Sequence, residues 1–418
     1  MSIRQKLKET GQKARVAALE LSVASAAVRQ SAIEGMAARL LSAYDEIMQA
    51  NQLDMAKAAA SAADEAFLKR LQITEKIFSY MHERLLEAAK LPDPLGIVIE
   101  GHVEPSGLQV SRVSVPLGVI GIIYEARPNV TTDAAAVALK SGNAVILRGG
   151  SEAWQTNGVL VRLMREAIVE QGLPADAVQT LSSPDRAAVR ELLRLDKYVD
   201  VIIPRGGKSL IKAVSSQSRI PVIKHYDGIC HLYLAADADI DMAIALTVNS
   251  KCQRVEVCNA LETLLVDQAC AKYLLPELEK ALGAAGVTIR GCSRTRSILP
   301  RIEAASRSDW TTEYLAPILA VKVVDGPGAA IGHINQYGSG HTDGIVTTNL
   351  ATARRFLDQV DSASVLVNAS TRLSGGGDYG MGAVVGISTG RLHARGPVGA
   401  RELTTYKWQV RGDGQLRK

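Results

Sequence analysis

The feature that most constrains this chain begins at Gly118, where short, continuously apolar runs start to alternate with segments of helical length. Residues 118–124 and 144–147 read as buried strands, with a helix over 132–140 between them. A long helix then runs to Gln171 and is stopped by Gly172 and Pro174. A strand near Val178, a helix near 186–193 and a strand at 199–203 follow. Apolar strands separated by helices imply a parallel, doubly wound α/β sheet. Such sheets bind ligands in the loops at the carboxyl ends of their strands.

Three of those loops share one composition: Glu125-Ala126-Arg127-Pro128-Asn129, Arg148-Gly149-Gly150-Ser151 and Pro204-Arg205-Gly206-Gly207-Lys208. Each joins a strand end, small or turn-forming residues, a cation and an oncoming helix. Bare backbone N–H groups, a helix N-terminus and a guanidinium suit a phosphate. The spacing is neither Gly-x-Gly-x-x-Gly nor a P-loop, and any one loop read alone is equally a turn. Three in succession on one sheet edge point to an anionic dinucleotide.

The first ninety residues read as helical packing layers, with Ile33, Met36, Leu40, Tyr44 and Ile47 on one face and Pro92 ending the last helix. Residues 97–115 read as a hairpin turning at Glu104-Pro105-Ser106-Gly107. A two-stranded ribbon is marginal alone, so this one is expected to pack on another subunit, with plain solvent exposure as the alternative. The C-terminal tail is expected to return to it. After Pro221 come Lys224-His225-Tyr226-Asp227-Gly228, a strand at 230–235, a helix capped by Asp237 or Asp239, and further strands expected at 313–319 and 365–368. The glycine-rich runs 374–377 and 380–390 are expected to line a cleft.

Within this second block the segment 255–266 sets Cys258 between a helix and the apolar strand 261–266. A thiol on a short connection between rigid elements is a candidate nucleophile, and Arg254 could supply the positive potential a thiolate needs. The plain alternative is a packed, inert thiol, which is the reading taken for Cys230, Cys252, Cys270 and Cys292. Five cysteines with no Cys-x-x-Cys argue against a disulfide framework or a zinc cluster, and no metal is expected. The net charge of +5 comes from scattered basic residues, which argues for small anions as ligands rather than nucleic acid. No apolar run reaches membrane-spanning length, and cytoplasm is the expected compartment.

With these residues laid out, the chain resembles the aldehyde dehydrogenase superfamily and, within it, the γ-glutamyl phosphate reductase family. The motifs that carry the resemblance lie at residues 124–131, 139–150, 257–265, 367–372, 386–389 and 393–397. The resemblance implies an α/β, aldehyde dehydrogenase-like fold: a Rossmann-type cofactor domain over 1–96 and 117–225, an α/β catalytic domain over 226–385, and hairpin and C-terminal oligomerisation elements over 97–116 and 386–418. It implies NADPH-dependent reduction of L-glutamyl 5-phosphate to L-glutamate 5-semialdehyde through a cysteine thioester. A homo-oligomer, dimer or tetramer, is implied, with glutamate 5-kinase as a possible partner.

By the same resemblance Cys258 takes the nucleophile position, and Asn129 with the Cys258 backbone N–H the oxyanion-stabilising one. Arg148 falls on the adenine-ribose side, where it could meet a 2′-phosphate. Gly149, Gly206 and Gly207 fall in the phosphate-binding turns, and Glu313 where the nicotinamide ribose is oriented. Arg254, Lys224, His225, Arg395 and His393 are candidates for the substrate's charged groups. The stretch 224–228 lacks the glutamate that activates water in hydrolytic relatives, which suits a reductase; Asp227 is the carboxylate there that could act as a base. Val255-Glu256 departs from the Pro-Gly usual before the nucleophile, and a Glu256 carboxylate facing the thiol would raise its pKa. Two other functions share parts of the pattern: a CoA-acylating aldehyde dehydrogenase, and a non-catalytic protein on the same fold.

Overall fold

A computed structural model describes residues 2–61, 63–181 and 183–417. The chain forms two compact units, one of residues 1–224, 380–386 and 398–418, the other of residues 225–379 and 387–397.

The first unit opens with five helices, α1 (Ile3–Val23), α2 (Ala26–Ser42), α3 (Tyr44–Ala60), α4 (Glu65–Leu71) and α5 (Glu75–Lys90). Side chains of Ser2, Ser25, Asp64 and Thr74 accept from backbone N–H groups at the starts of α1, α2, α4 and α5, satisfying amides a helix leaves orphaned. Next come β1 (Val98–Val103) and β2 (Gln109–Pro116), the hairpin read from the sequence, whose turn closes with the Gly107 N–H donating to the Glu104 carbonyl at 2.8 Å. The C-terminal strand Thr404–Arg411 pairs antiparallel along β2, so the tail does return to the hairpin. The resulting ribbon carries exposed Val98, Ile99, Val103, Tyr406, Trp408 and Val410.

The sheet of this unit is built from β3 (Val119–Tyr124), β4 (Ala144–Arg148), β5 (Val178–Thr180) and β6 (Val201–Arg205), with α6 (Asn129–Lys140), α7 (Trp154–Glu170), α8 (Arg186–Leu192) and α9 (Lys208–Gln217) between or after them. All four strands are parallel, in the order β5-β4-β3-β6. Every residue of β3 is buried, as a strand covered on both faces requires. The order reverses between β3 and β6, so the loops after these two strands flank a switch point. α7 is seated by a residue from far upstream: the buried Asp54 carboxylate accepts from the Gln155 and Thr156 N–H groups at 3.2 and 2.8 Å and from the Thr156 hydroxyl at 2.7 Å.

The second unit holds β7 (Cys230–Leu234), α10 (Ile240–Cys252), β8 (Leu261–Asp267), α11 (Gln268–Ala284), β9 (Thr288–Gly291), α12 (Ser293–Ile298), β10 (Glu303–Ala304), β11 (Ile318–Val324), α13 (Gly326–Tyr337), β12 (Thr342–Val346), α14 (Leu350–Gln359) and β13 (Ser364–Val367). Its seven strands are parallel in the order β10-β9-β11-β8-β7-β12-β13. Asp239 rather than Asp237 caps α10, accepting from the Met242 N–H at 2.8 Å. The strand expected at 313–319 starts later, at Ile318. Leu315 takes a left-handed φ of 51° and Pro317 donates no ladder hydrogen bond, so pairing begins only beyond them. Among the described residues no helix is long and apolar enough to cross a membrane.

Replacing Asp54 with Ala leaves two amides and a hydroxyl unpaired, two of them buried. The expected cost is about 1–3 kcal/mol, read as a lowered urea midpoint for the first unit; an unchanged midpoint contradicts the seating role.

Candidate active site

In the second unit β8, β7 and β12 are adjacent and parallel, so the segments leading into them lie along one edge of the sheet. Cys258 precedes β8, His225 precedes β7 and His341 precedes β12. The Cys258 Sγ and one ring nitrogen from each histidine all lie within 4.8 Å of one another. The two imidazole rings meet edge to face with centroids 5.5 Å apart. This is the amino edge of the strands, opposite to the edge the switch-point rule favours. At the carboxyl edge Asp237 is already taken up by the Thr347 hydroxyl and the Thr348 N–H, each at 2.8 Å.

The loop carrying Cys258 is fixed at both ends. Lys251, near the end of α10, and Glu262, at the start of β8, are fully buried and meet at 2.6 Å. Burial pushes the Glu262 carboxyl up to about 7 against the pull of Lys251, and lowers the Lys251 ammonium in the same way. Next to the thiol, the Asn259 amide donates to the carbonyls of Arg372 and Ser374 at 3.2 and 3.0 Å, and its oxygen accepts from the Arg372 guanidinium. Gly228 approaches so closely that a Cβ there would stand 1.8 Å from the Cys258 carbonyl oxygen. Its N–H donates to Glu313 at 2.8 Å. The Cys230 thiol donates to that Cys258 carbonyl at 3.2 Å, and burial holds its pKa well above the ordinary range, which makes it a support rather than a nucleophile.

Of the residues singled out in the sequence, Cys258, His225 and Glu313 therefore lie together. Arg254 sits on the same loop and is exposed, as is Glu256. Arg395 is engaged with Asp361 at 2.9 Å, which Arg391 also pairs, so its guanidinium is committed to a surface ion pair. Lys224 is half-buried and ends the first unit's main segment. Burial raises the Cys252 thiol, and burial with nearby Asp267 takes Cys270 to about 11. At Cys292 burial opposes the thiolate, but the Thr295 hydroxyl and the backbone amides of Thr295, Val323 and Arg294 outweigh it and lower the pKa. His341 and Arg372 were not among the sequence candidates. Nothing in its local sequence marks His341, Arg372 is marked only as the last residue of the 367–372 motif, and only the order of the strands and the loop after β13 bring them to Cys258.

In the first unit a cleft of about 660 Å³ lies against the loops after β3 and β4. Five guanidiniums line it, Arg70, Arg127, Arg148, Arg186 and Arg190, against the carboxylates of Glu125 and Glu152, a balance that favours an anionic ligand. Arg148 donates to the Pro184 carbonyl at 3.1 Å, and burial lowers its pKa against the pull of Glu152, with the nearby Arg186 adding to the shift. The Gly207 N–H at the start of α9 donates to Glu125 at 2.7 Å, and a Cβ on Gly206 would stand 2.6 Å from the same carboxylate. Glu125 thus occupies that amide. Gly149 has a packing reason of its own, since a Cβ would stand 2.2 Å from the Asn157 amide. Asn129 is the first residue of α6 and half-buried. One turn on, burial raises Asp133 to about 6 in spite of Arg84 and Arg205; the sequence reading passed over it.

Burial holds both His341 and His333 near pKa 3, below their ordinary 6.5, with His225 beside the first and His231 and Lys322 beside the second adding to the shift. Folded, both stay neutral where the unfolded chain takes up protons. Their contribution to stability is complete above pH 6.5 and is lost as pH falls from there towards 3, by about 1.4 kcal/mol per pH unit for each histidine. The urea midpoint of the second unit is expected to fall over that window, and to fall less steeply in His333→Asn. An equally steep fall in that variant contradicts the assignment.

A model of the aldehyde dehydrogenase family matches residues 3–289 and 290–383. The γ-glutamyl phosphate reductase structure from Thermotoga maritima is 43% identical over 99% of this chain and 100% of its own, with a TM-score of 0.97. That from Saccharomyces cerevisiae is 31% identical over 100% and 99%, with a TM-score of 0.55. An acetylating aldehyde dehydrogenase from Geobacillus thermoglucosidasius, 20% identical over 100% and 98% with a TM-score of 0.68, shares the fold.

Proposed function

As the chain belongs to the aldehyde dehydrogenase family, and within it to the γ-glutamyl phosphate reductases, we propose that this oxidoreductase converts L-glutamyl 5-phosphate to L-glutamate 5-semialdehyde and phosphate through a thioester on Cys258. The observation that carries this reading is the fixed loop around Cys258, with two imidazoles beside the thiol and the Arg372 guanidinium on the neighbouring Asn259. His225, rather than the deeply buried His341, takes the thiol proton. The thiolate then attacks the acyl carbon, the carbon–oxygen bond to phosphate breaks, and inorganic phosphate leaves with both electrons of that bond. When bound, NADPH supplies the hydride that turns the thioester into a thiohemiacetal.

Collapse of the thiohemiacetal expels the Cys258 thiolate and releases the aldehyde. Asn129 donates its side-chain amide to the developing oxyanion, and Glu313 keeps the role of orienting the nicotinamide ribose alongside its hold on Gly228. Arg148, Gly149, Gly206 and Gly207 belong to the site for the cofactor's phosphates, and the five-guanidinium cleft supports a phosphate-rich cofactor such as NADPH. A phosphate reaching the Gly207 amide displaces the Glu125 carboxylate. Arg254, Lys224 and His225 keep the proposed role of meeting the substrate's charged groups, and Arg395 is paired with Asp361. The exposed ribbon formed by β1, β2 and the C-terminal strand, with Tyr406, Trp408 and Val410 on one face and Val98 and Val103 on the other, is the element on which a homo-oligomer would close.

The test is NADP⁺ reduction with glutamate semialdehyde, in the presence and absence of phosphate. Cys258→Ala is expected to abolish the phosphate-dependent rate, and Asn129→Ala to lower kcat by about two to three orders of magnitude. Activity supported by CoA instead of phosphate would favour the acylating reading, and wild-type activity in Cys258→Ala would overturn both.

A further inference from the structure

We propose that Cys258, His225 and His341 form a three-donor site for zinc, which closes the nucleophile by coordinating it. The donor set is one sulfur and two imidazole nitrogens within 4.8 Å of one another. No carboxylate belongs to the cluster, so hard cations such as magnesium and calcium are poor occupants, whereas thiolate and imidazole are zinc's preferred ligands.

Hydrogen bonds made by Nδ1 of both rings fix which nitrogen carries the lone pair. His225 Nδ1 lies 3.0 Å from the Ile387 carbonyl oxygen, which can only accept, so Nδ1 bears the proton and Nε2 the lone pair. His341 Nδ1 lies 2.8 Å from the Thr342 hydroxyl, whose own proton goes on to Ser374 at 2.9 Å, and the Ser374 proton goes to Ser364 at 2.9 Å. Thr342 therefore accepts from His341 Nδ1–H, and His341 too carries its lone pair on Nε2. That atom is fully buried and has no hydrogen-bond partner. A carbonyl or hydroxyl behind each imidazole, setting its tautomer and orientation, is the arrangement that supports metal-bound histidines.

Bonds of about 2.3 Å to sulfur and 2.0–2.1 Å to nitrogen bring such donors to roughly 3.5 Å apart, so the cluster needs to contract by about 1 Å. Cys258 and His225 are half-buried and can supply that movement, while His341 is held by its hydroxyl chain. Binding exchanges the Cys258 thiol proton for the metal, releasing one proton, and leaves the fourth position to water. Coordinated sulfur no longer attacks an acyl carbon.

The probe is cobalt(II), titrated into the full chain without substrate or cofactor. The expected result is a near-ultraviolet thiolate-to-cobalt band saturating at one equivalent, displaced by zinc. The band is absent in Cys258→Ser, and the cobalt affinity falls at least about tenfold in His225→Asn. His341→Asn is expected to behave alike, but because that residue is buried the half-buried His225 carries the test, with circular dichroism confirming an unchanged fold. No band, or a band undiminished in Cys258→Ser or bound equally well by His225→Asn, overturns the site. The spectrum is read without turnover, so its failure leaves the reductase reading standing, and failed turnover with an intact band does the reverse.

Discussion

The geometry around Cys258 depends on one buried contact, the Lys251–Glu262 ion pair at 2.6 Å. One partner closes α10 and the other opens β8, so the pair fixes the two ends of the loop between them. Taking two charges out of water is costly, and here burial drives both groups towards their neutral forms. What it yields is definition: with one partner removed, the other is stranded, a loss of about 3–5 kcal/mol. The Glu262 carboxylate also accepts from the Leu315 N–H at 3.2 Å, tying in the segment that carries Glu313.

From that anchor the rest of the arrangement follows by contact. Glu313 holds the Gly228 N–H, Gly228 lies against the Cys258 carbonyl, and Cys230 donates to the same oxygen from behind. Asn259 fastens the loop to the backbone at Arg372 and Ser374. A thiol held by backbone contacts on several sides is preorganised, which is what the proposed covalent step needs. The same rigidity explains how the lead-ins to three parallel strands keep a thiol and two imidazoles together.

Much of this was legible in the sequence. The apolar strands from Gly118, the phosphate-suited loops, the hairpin turn at Gly107 and Cys258 itself were marked by local pattern, because strand burial, turn chemistry and loop composition are local properties. His341 was not, and Arg372 was marked only as part of the 367–372 motif and not as a neighbour of Cys258, because each reaches Cys258 only through the strand order β8-β7-β12-β13 and the loop that follows it. Leu315 hid the true start of β11, since its left-handed φ breaks an apolar run that reads as strand. The Lys251–Glu262 pair was invisible for a related reason: charged residues at the end of a helix and within a strand look solvated until packing covers them.

The central claim is that Cys258 carries an acyl group meant for hydride chemistry rather than for hydrolysis. The most direct measurement mixes the protein with glutamate semialdehyde and NADP⁺ without phosphate, following NADPH and intact mass together. The expected result is a single burst of about one NADPH per chain, with a glutamyl adduct mapped to Cys258 that phosphate then releases. Continuous turnover without phosphate, or an adduct on another residue, would contradict it.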